Sequence, residues 1–167
     1  ATIKPVGLIV IDDGSIATTS GVLRSYLQNG GSLLFLSDGA VVNKQLGTVD
    51  ANKPIFADLF ADYGITRTNE LVYDMELNET LSFGQGGVQY VIPYPFWFHA
   101  LPKDTTFAGS AGIKSVVLAW ATRLQLTPKD GVQQRQILIS SKTSGVQKEN
   151  YTITPDSFDL LPPPSGE

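Results

Sequence analysis

Two stretches, Val6-Gly-Leu-Ile-Val-Ile11 and Ser32-Leu-Leu-Phe-Leu-Ser37, decide the predicted fold of this chain. Both are almost continuously apolar, which is typical of strands covered on both faces, as in a parallel sheet. The segment between them predicts a helix, because one helical face carries Val22, Leu23, Tyr26 and Leu27. A strand, a helix and a second strand in this order form a right-handed crossover unit, so we expect the two strands to lie parallel.

The ends of this first helix carry recognisable signals. Thr18, Thr19 or Ser20 can cap its start by accepting a backbone N–H, and Gly30 and Gly31 supply a left-handed stop at its end. These signals predict one well-bounded helix between the two strands.

A second helix is predicted after a polar, loop-like stretch at residues 40–53. Pro54 suits the first position of a helix, and Gly64 stops it. A short strand is expected at residues 65–73, followed by Asp74. The apolar face of the predicted helix comprises Ile55, Phe56, Leu59, Phe60 and Tyr63.

The pattern changes beyond Asp74. Residues 84–87, Gly-Gln-Gly-Gly, indicate a flexible loop, and residues 94–102 are aromatic and bounded by prolines, which argues against a central strand. Further β-prone stretches follow at residues 116–126 and 135–142. We therefore expect an α/β fold with an open, mostly parallel sheet, flanking helices, and some antiparallel strands toward the C-terminus.

Length and composition indicate a single globular domain in a chain of 167 residues. We assign residues 1–155 to one α/β domain and residues 156–167 to a Pro-rich linker, and we expect the chain to be a fragment of a longer protein. It has no cysteine, which removes disulfides, thiolate zinc sites and a cysteine nucleophile. No apolar run approaches the ~20 residues that span a bilayer.

The charge distribution argues against a nucleic-acid partner. The net charge is −4, and the 12 basic residues are scattered along the chain. No cluster of them would neutralise a phosphate backbone.

Three carboxylates follow the first two strands: Asp12, Asp13 and Asp38. Ligands bind at the carboxyl edge of open α/β sheets, and hard cations such as magnesium or calcium take oxygen ligands. The alternative is turn chemistry, since Asp before Gly is a favoured turn sequence. These residues are therefore a tentative ligand site, with no assigned metal or other cofactor.

The aromatic segment holding Tyr94, Phe96 and Trp97 is the most distinctive feature of the sequence. Aromatic side chains exposed between prolines would stack on a sugar ring or anchor a protein partner. The alternative is that they form core along one edge of the sheet. His99 is the only histidine; it is a packing or surface residue, or one member of a Ser-His-Asp triad that lacks a nucleophile elbow. With the neighbouring aromatic residues it is also a candidate ligand-binding residue.

Several segments taken in order resemble the auxiliary domain of gliding-motility-type ABC transport systems. The helix and second strand contribute Leu23-Arg-Ser-Tyr-Leu-Gln-Asn-Gly-Gly-Ser-Leu-Leu-Phe-Leu36, followed by Asp38. The later segments are Phe60-Ala-Asp-Tyr-Gly-Ile-Thr-Arg-Thr-Asn-Glu-Leu-Val-Tyr-Asp74, the aromatic stretch from Tyr94, Val116-Val-Leu-Ala-Trp-Ala-Thr-Arg-Leu-Gln-Leu126 and Ile137-Leu-Ile-Ser-Ser-Lys-Thr-Ser144. Together they cover most of residues 6–147.

This resemblance implies an open sheet like that of class I glutamine amidotransferases, or flavodoxin-like. It also implies an extracytoplasmic domain, in the periplasm or at the cell exterior, tethered by membrane helices outside this fragment beside an ABC permease and ATPase. The amidotransferase-like fold would place a nucleophilic cysteine at an elbow, and this chain has none. The usual Thr-Ser-Pro of the family appears here as Thr143-Ser144-Gly145.

The sequence therefore predicts a non-catalytic binding or scaffolding domain of an ABC-type transport complex. Two alternatives remain open: a glycan-binding module that uses Tyr94, Phe96 and Trp97, or a divergent metal-dependent hydrolase that uses Asp12, Asp13 and Asp38. A small-molecule ligand is also compatible with the first function.

Overall fold

One parallel strand pair forms the N-terminal part of the fold. The structure is a computed structural model that describes residues 7–12, 19–43, 47–85 and 87–166. Strand β1 (Leu8–Asp12) pairs in parallel with β2 (Leu33–Ser37), and helix α1 (Ser20–Gln28) lies between them in the chain. The predicted crossover unit is confirmed.

Helices α1 and α2 (Ala57–Asp62) cover one face of this pair. Leu23, Phe56 and Leu59 are buried with Val10 in one apolar cluster. The ring of Phe35 on β2 meets Phe56 edge-on, with centroids 5.1 Å apart. Arg24 of α1 bridges to α2, with its Nε 2.6 Å from Asp62 Oδ2 and its Nη2 3.2 Å from Asp58 Oδ2.

The predicted stop signals of both helices are confirmed. Gly30 after α1 has φ +81°, and Gly64 after α2 has φ +67°. Only glycine adopts this left-handed backbone at no steric cost. At Gly64 a side chain is also excluded by space, because a Cβ there would lie 2.2 Å from the carbonyl oxygen of Thr127. Thr19 occupies the N-cap position of α1 without a side-chain capping bond.

The stretch expected to be a loop at residues 40–53 contains a hairpin instead. Strand β3 (Ala40–Asn43) pairs antiparallel with β4 (Thr48–Ala51), and Ala40 and Val49 are buried. The strands are only four residues long, which explains why their periodicity did not distinguish them from a loop.

Strand β5 (Ile65–Asp74) does not extend the parallel pair. It pairs antiparallel with β9 (Thr122–Leu126) on one side and with β11 (Ser144–Gln147) on the other. Leu71 and Tyr73 of β5 are fully buried in the larger apolar core.

A long hairpin supplies the rest of the antiparallel structure. Strand β6 (Asn78–Gln85) pairs with β7 (Val88–Pro102), which also pairs with β8 (Val116–Ala119) and β10 (Leu138–Ile139). The expectation that the proline-bounded aromatic segment is no central strand was wrong. Pro93 and Pro95 precede the residues of β7 that pair with β8, and Pro95 falls within a register shift opposite β6, so neither interrupts a ladder with strands on both sides.

The predicted fold class was therefore wrong. Among the described residues, strands account for 44% and helices for 14%, and β1 and β2 are the only parallel strands. The open, mostly parallel, amidotransferase-like or flavodoxin-like sheet is not formed. Parallel strands need crossovers of a dozen or more residues, usually a helix, and the described residues after Asp74 contain no α-helix that could form one.

The segment expected to be a linker at residues 156–167 makes contacts with the domain. A 3-10 helix spans Pro155–Leu160, and the Phe158 ring packs edge-on against Tyr94 and Phe96, with centroids 5.7 and 6.1 Å apart. The hydroxyl of Tyr73 donates to the carbonyl oxygen of Pro162. None of the described helices has both the length and the apolar character needed to cross a bilayer.

Candidate functional site

The carboxyl edge of the parallel pair holds two of the three predicted carboxylates. Asp12 ends β1 and is buried, and its Oδ2 accepts a hydrogen bond from Ser37 Oγ on β2 at 2.8 Å. Asp38 directly follows β2. Asp13 lies outside the described residues.

Arg67 on β5 brings a positive charge to this edge. It is buried, and its guanidinium donates to the carbonyl oxygen of Asp38 and, from Nη2 at 2.9 Å, to that of Asn52. Burial lowers the pKa of Arg67, while the charges of Asp12 and Asp38 act in the opposite direction. The edge is thus a polar junction between the parallel pair and the antiparallel sheet, where one guanidinium partly offsets the charges of two carboxylates.

This junction does not resemble a cation site. Within the described ranges, no three carboxylate or histidine side chains are grouped closely enough to hold a metal ion. A guanidinium beside the two aspartates also competes with any added cation. The sequence did not single out Arg67, because it was counted among basic residues scattered along the chain, and the polar run Thr66–Glu70 around it carries no local sign of burial.

The aromatic segment is mainly core. Tyr94, Phe96 and Phe98 are buried, so their interpretation as an exposed loop was wrong and the alternative, core, is what the structure has. The Tyr94 hydroxyl donates to the carbonyl oxygen of Ile153 at 3.0 Å and accepts from Trp120 Nε1 at 3.1 Å. Burial raises the pKa of Tyr94, and the Trp120 bond partly offsets this.

Trp97 is partly buried. Its ring stands nearly perpendicular to that of Trp120, with centroids 5.2 Å apart, and its buried indole N–H has no hydrogen-bond partner among the described residues. Trp120 itself adopts φ +51°, a strained backbone for a bulky residue, and its N–H bonds the carbonyl oxygen of Phe96 at 2.8 Å. The two indoles therefore brace one tight turn and offer no flat, open stacking surface.

His99 joins two polar side chains on the surface. Its Nδ1 lies 3.2 Å from Ser115 Oγ, and its Nε2 lies 3.1 Å from Glu79 Oε1. A hydroxyl, an imidazole and a carboxylate in this order have the connectivity of an activated nucleophile. However, Ser115 is exposed, and His99 and Glu79 are about one-third and two-fifths exposed. The arrangement is open to water and provides no enclosed substrate site.

A buried carboxylate that the sequence did not single out as a site lies at the end of β5. Asp74 is fully buried; its Oδ1 accepts the backbone N–H groups of Glu76 and Leu77 and the Ser141 hydroxyl, and its Oδ2 accepts the Ser141 N–H at 2.9 Å. Burial acts to raise the pKa of Asp74, but the hydrogen bonds from Leu77 and Ser141 outweigh it, so the pKa lies below the ordinary value. Because all these donors belong to connecting segments, the role of Asp74 is to fix turns.

A shallow cleft of about 580 Å³ contains none of the predicted site residues. Its charged groups already have partners. Arg135 Nη1 lies 3.3 Å from Asp104 Oδ2, and the Lys103 amino group donates to Gln136 Oε1. The Arg135–Asp104 pair offsets its own charges, whereas Lys103, bound to a neutral amide, keeps its positive charge. It is lined by Lys103, Asp104, Leu126, Gln134, Arg135 and Gln136.

The least expected surface is the second face of the parallel pair, which we call the open face. Its outward side chains are all apolar and roughly half or more exposed: Ile9 (64%), Ile11 (65%), Leu34 (54%) and Leu36 (48%). Ile9 is paired with Leu34, and Ile11 with Leu36, so the four form one continuous patch. The prediction that both faces are covered was wrong within the described part of the chain.

Comparison with known proteins assigns the chain as a whole. Residues 6–166 match the model of a family described as ABC-type uncharacterized transport system. The chain belongs to this family. It is thus an auxiliary domain of an ABC-type transport system, which confirms the resemblance found in the sequence, although not the amidotransferase-like fold. No curated protein and no solved structure matches the chain.

The match to this transport family spans both parts of the fold. It includes the parallel pair with its open face, the Asp12–Arg67 junction and the antiparallel sheets. Association with an ABC transport system gives the exposed surfaces of the domain a functional context, and a contiguous exposed apolar patch such as the open face marks a site of interaction.

Proposed function

We propose that this domain is a non-catalytic, extracytoplasmic scaffolding module that docks on a partner of an ABC-type transport complex of the gliding-motility type. The observation that carries the proposal is the open face. Parallel sheets occur with both faces covered, and here Ile9, Ile11, Leu34 and Leu36 leave one face of the pair open. A partner that covered this face would give the parallel pair the two covered faces that parallel sheets normally have.

The energetics support docking at this face. Full burial of an Ile or Leu side chain contributes about 1.5–3 kcal/mol, so covering four that are half exposed contributes roughly 3–6 kcal/mol before the costs of association. The other face of the same pair is already covered by α1 and α2, so it offers no such gain. The permease is the partner we propose, with the ATPase joined through it.

The extracytoplasmic location rests on the family resemblance and on composition. The chain has no cysteine, which suits an oxidising compartment. Fusing the full-length protein to a reporter enzyme that is active only after export tests this location. Reporter activity is expected; activity only from a cytoplasmic reporter fused at the same point would reject it.

Co-purification of the full-length protein with its permease tests the docking surface. Ile11→Glu places a charge on the open face, and we expect it to reduce recovery of the permease at least about tenfold, as for loss of an interface anchor. Val22→Glu is the matched control, because Val22 is 62% exposed on α1, away from the open face. Equal recovery with both variants, each folded by circular dichroism, would reject the open face as the docking site.

A further inference from the structure

The outer edge of β6 is open in the described structure. Within the described residues, β6 pairs with β7 alone, so it is an edge strand over its full length, Asn78–Gln85. An edge strand presents unpaired N–H and C=O groups that can add another strand. Proteins usually protect such edges with charged residues, prolines or bulges.

This edge lacks those protections beyond its first residues. The sequence from Thr80 to Phe98 contains no charged residue, and β6 contains no proline. The register shift lies at Asn78 and Glu79, so the pairing from Glu79 onward is regular. Thr80, Ser82 and Gly84 are exposed. The outer half of β6 is therefore a regular, uncharged pairing surface.

The hairpin also carries apolar side chains beyond the core. Phe83 pairs with Tyr90 and lies on the face that packs on Tyr94, with ring centroids of Phe83 and Tyr94 5.4 Å apart. Leu81 and Phe83 are only partly buried against the core, while Tyr90 and Val88 are exposed. Added neighbours on this face would gain cross-strand contacts.

We propose that β6 pairs antiparallel with β6 of a second copy of this chain, around a two-fold axis at Ser82. In this register Leu81 lies opposite Phe83 of the second copy, and Phe83 opposite its Leu81. Apolar and aromatic residues directly opposite each other stabilise antiparallel pairs. A two-fold axis at this point makes the interface isologous, so it closes as a dimer.

The register favours a second copy as the occupant, because a second β6 places Leu81 opposite Phe83 twice around one axis. Two copies that each carry a net charge of −4 repel each other, and this repulsion is smallest where they meet along a segment without charge. The β6 edge provides such a place. In the proposed register, Glu79, its one charged residue, lies opposite position 85 of the second copy and not opposite another Glu79. Glu79 also keeps its pairing with His99.

Cysteine cross-linking of the purified chain tests the register. The chain has no native cysteine, so Ser82→Cys introduces a single thiol. Residues facing each other in antiparallel strands have Cα atoms about 4.5–5.5 Å apart, within the range that a disulfide spans. We expect rapid oxidation to a covalent dimer. Gln89→Cys is the control, because Gln89 is exposed on β7, one strand farther from the axis in each copy.

Sedimentation velocity over a concentration series tests the dimer itself. We expect wild-type chain to self-associate, Ser82→Lys to be monomeric throughout, and Gln89→Lys to behave as wild type. Circular dichroism verifies that each variant is folded. Wild-type chain that stays monomeric up to about 1 mM overturns the proposal. So does a dimer that Ser82→Lys leaves intact, or one that Ile11→Glu on the open face dissociates.

Discussion

The carboxylate of Asp74 accepts the backbone N–H of Ser141 at 2.9 Å, across 67 residues of sequence. This bond ties the end of β5 to the segment that leads into β11. The same carboxylate accepts the N–H groups of Glu76 and Leu77, which open the connection to β6. One buried charge therefore organises the turns at which two antiparallel sheets meet.

Asp74→Asn is expected to destabilise the domain. The amide replaces one acceptor oxygen with a donor, so N–H groups of Leu77 or Ser141 lose their partner. We expect the free energy of unfolding at pH 7 to fall by roughly 2–4 kcal/mol, as for loss of charge-assisted hydrogen bonds at a buried site. Urea unfolding measures it. Asp159→Asn, at an exposed position, is the control and should change stability by less than about 0.5 kcal/mol.

The pH dependence of that difference has a definite sign. The folded-state pKa of Asp74 lies below its ordinary value of 3.8. The stabilisation is therefore present above the unfolded-state pKa and is lost as the pH falls through the lower folded-state pKa. The difference in unfolding free energy between wild type and Asp74→Asn should disappear below about pH 3.8. A gap that widened on acidification would contradict the assignment.

Arg67→Met is expected to loosen the junction between the parallel pair and β5. It removes the donors to the carbonyl oxygens of Asp38 and Asn52 and the favourable charge interaction of Arg67 with Asp12. We expect a loss of roughly 3–5 kcal/mol, the range for removing one partner of a buried charge network. Arg135→Met, which removes an exposed ion pair with Asp104, should cost no more than about 1 kcal/mol. Equal losses of unfolding free energy in the two variants would show that buried Arg67 contributes no more to stability than the exposed ion pair of Arg135.

Divalent cations are expected not to bind at Asp12 and Asp38. The positive charge of the Arg67 guanidinium near both carboxylates disfavours an added cation, and cation binding to the native state would have to raise the melting temperature. Calorimetric titration and thermal melts with magnesium, calcium and manganese should give no heat and no shift. A shift that disappears in Asp12→Asn would instead establish a metal site.

Tyr94→Phe is expected to lower stability by about 1–2 kcal/mol, because the Ile153 carbonyl and the Trp120 indole both lose a partner. The near-ultraviolet circular dichroism of the indoles should change as well. Tyr90→Phe is the matched control, since Tyr90 is exposed on the same strand and its hydroxyl can bond to water. An unchanged unfolding free energy in Tyr94→Phe would mean that these two bonds contribute nothing net.

Ser115 is expected not to act as a nucleophile, despite its contact with His99. A fluorophosphonate probe followed by mass spectrometry should leave Ser115 unmodified, because the site is open to water and shows no enclosed place for a substrate. Labelling that disappears in His99→Ala, or ester hydrolysis abolished by that variant, would replace the scaffolding proposal with an enzymatic one.

The sequence predicted the parallel part of the fold better than the antiparallel part. Long apolar runs, a helical face and the stops at Gly30 and Gly64 are local signals, and the structure confirms them. β7 was misjudged because a proline excludes a strand only where that strand has neighbours on both sides. The sequence alone does not place β8 beside only the later part of β7.

The site residues show the same limit. The sequence placed Asp12 and Asp38 at one sheet edge, but it did not reveal that Arg67, 29 residues beyond Asp38, reaches the same edge. The open face was also invisible, because a continuous apolar run reads alike whether one face of a strand or both faces are covered. The position of Arg67 and the exposure of the open face depend on how distant segments pair, and the local sequence pattern does not determine that pairing.

The two tryptophans of the chain, Trp97 on β7 and Trp120 between β8 and β9, pack ring against ring in the antiparallel part. Intrinsic indole emission therefore senses only that region. The parallel pair with α1 and α2 holds tyrosine and phenylalanine but no indole, so its melting would pass unseen by fluorescence yet register in far-ultraviolet dichroism. Comparing the two spectroscopic transitions would reveal whether the halves of this molecule come apart together or in succession.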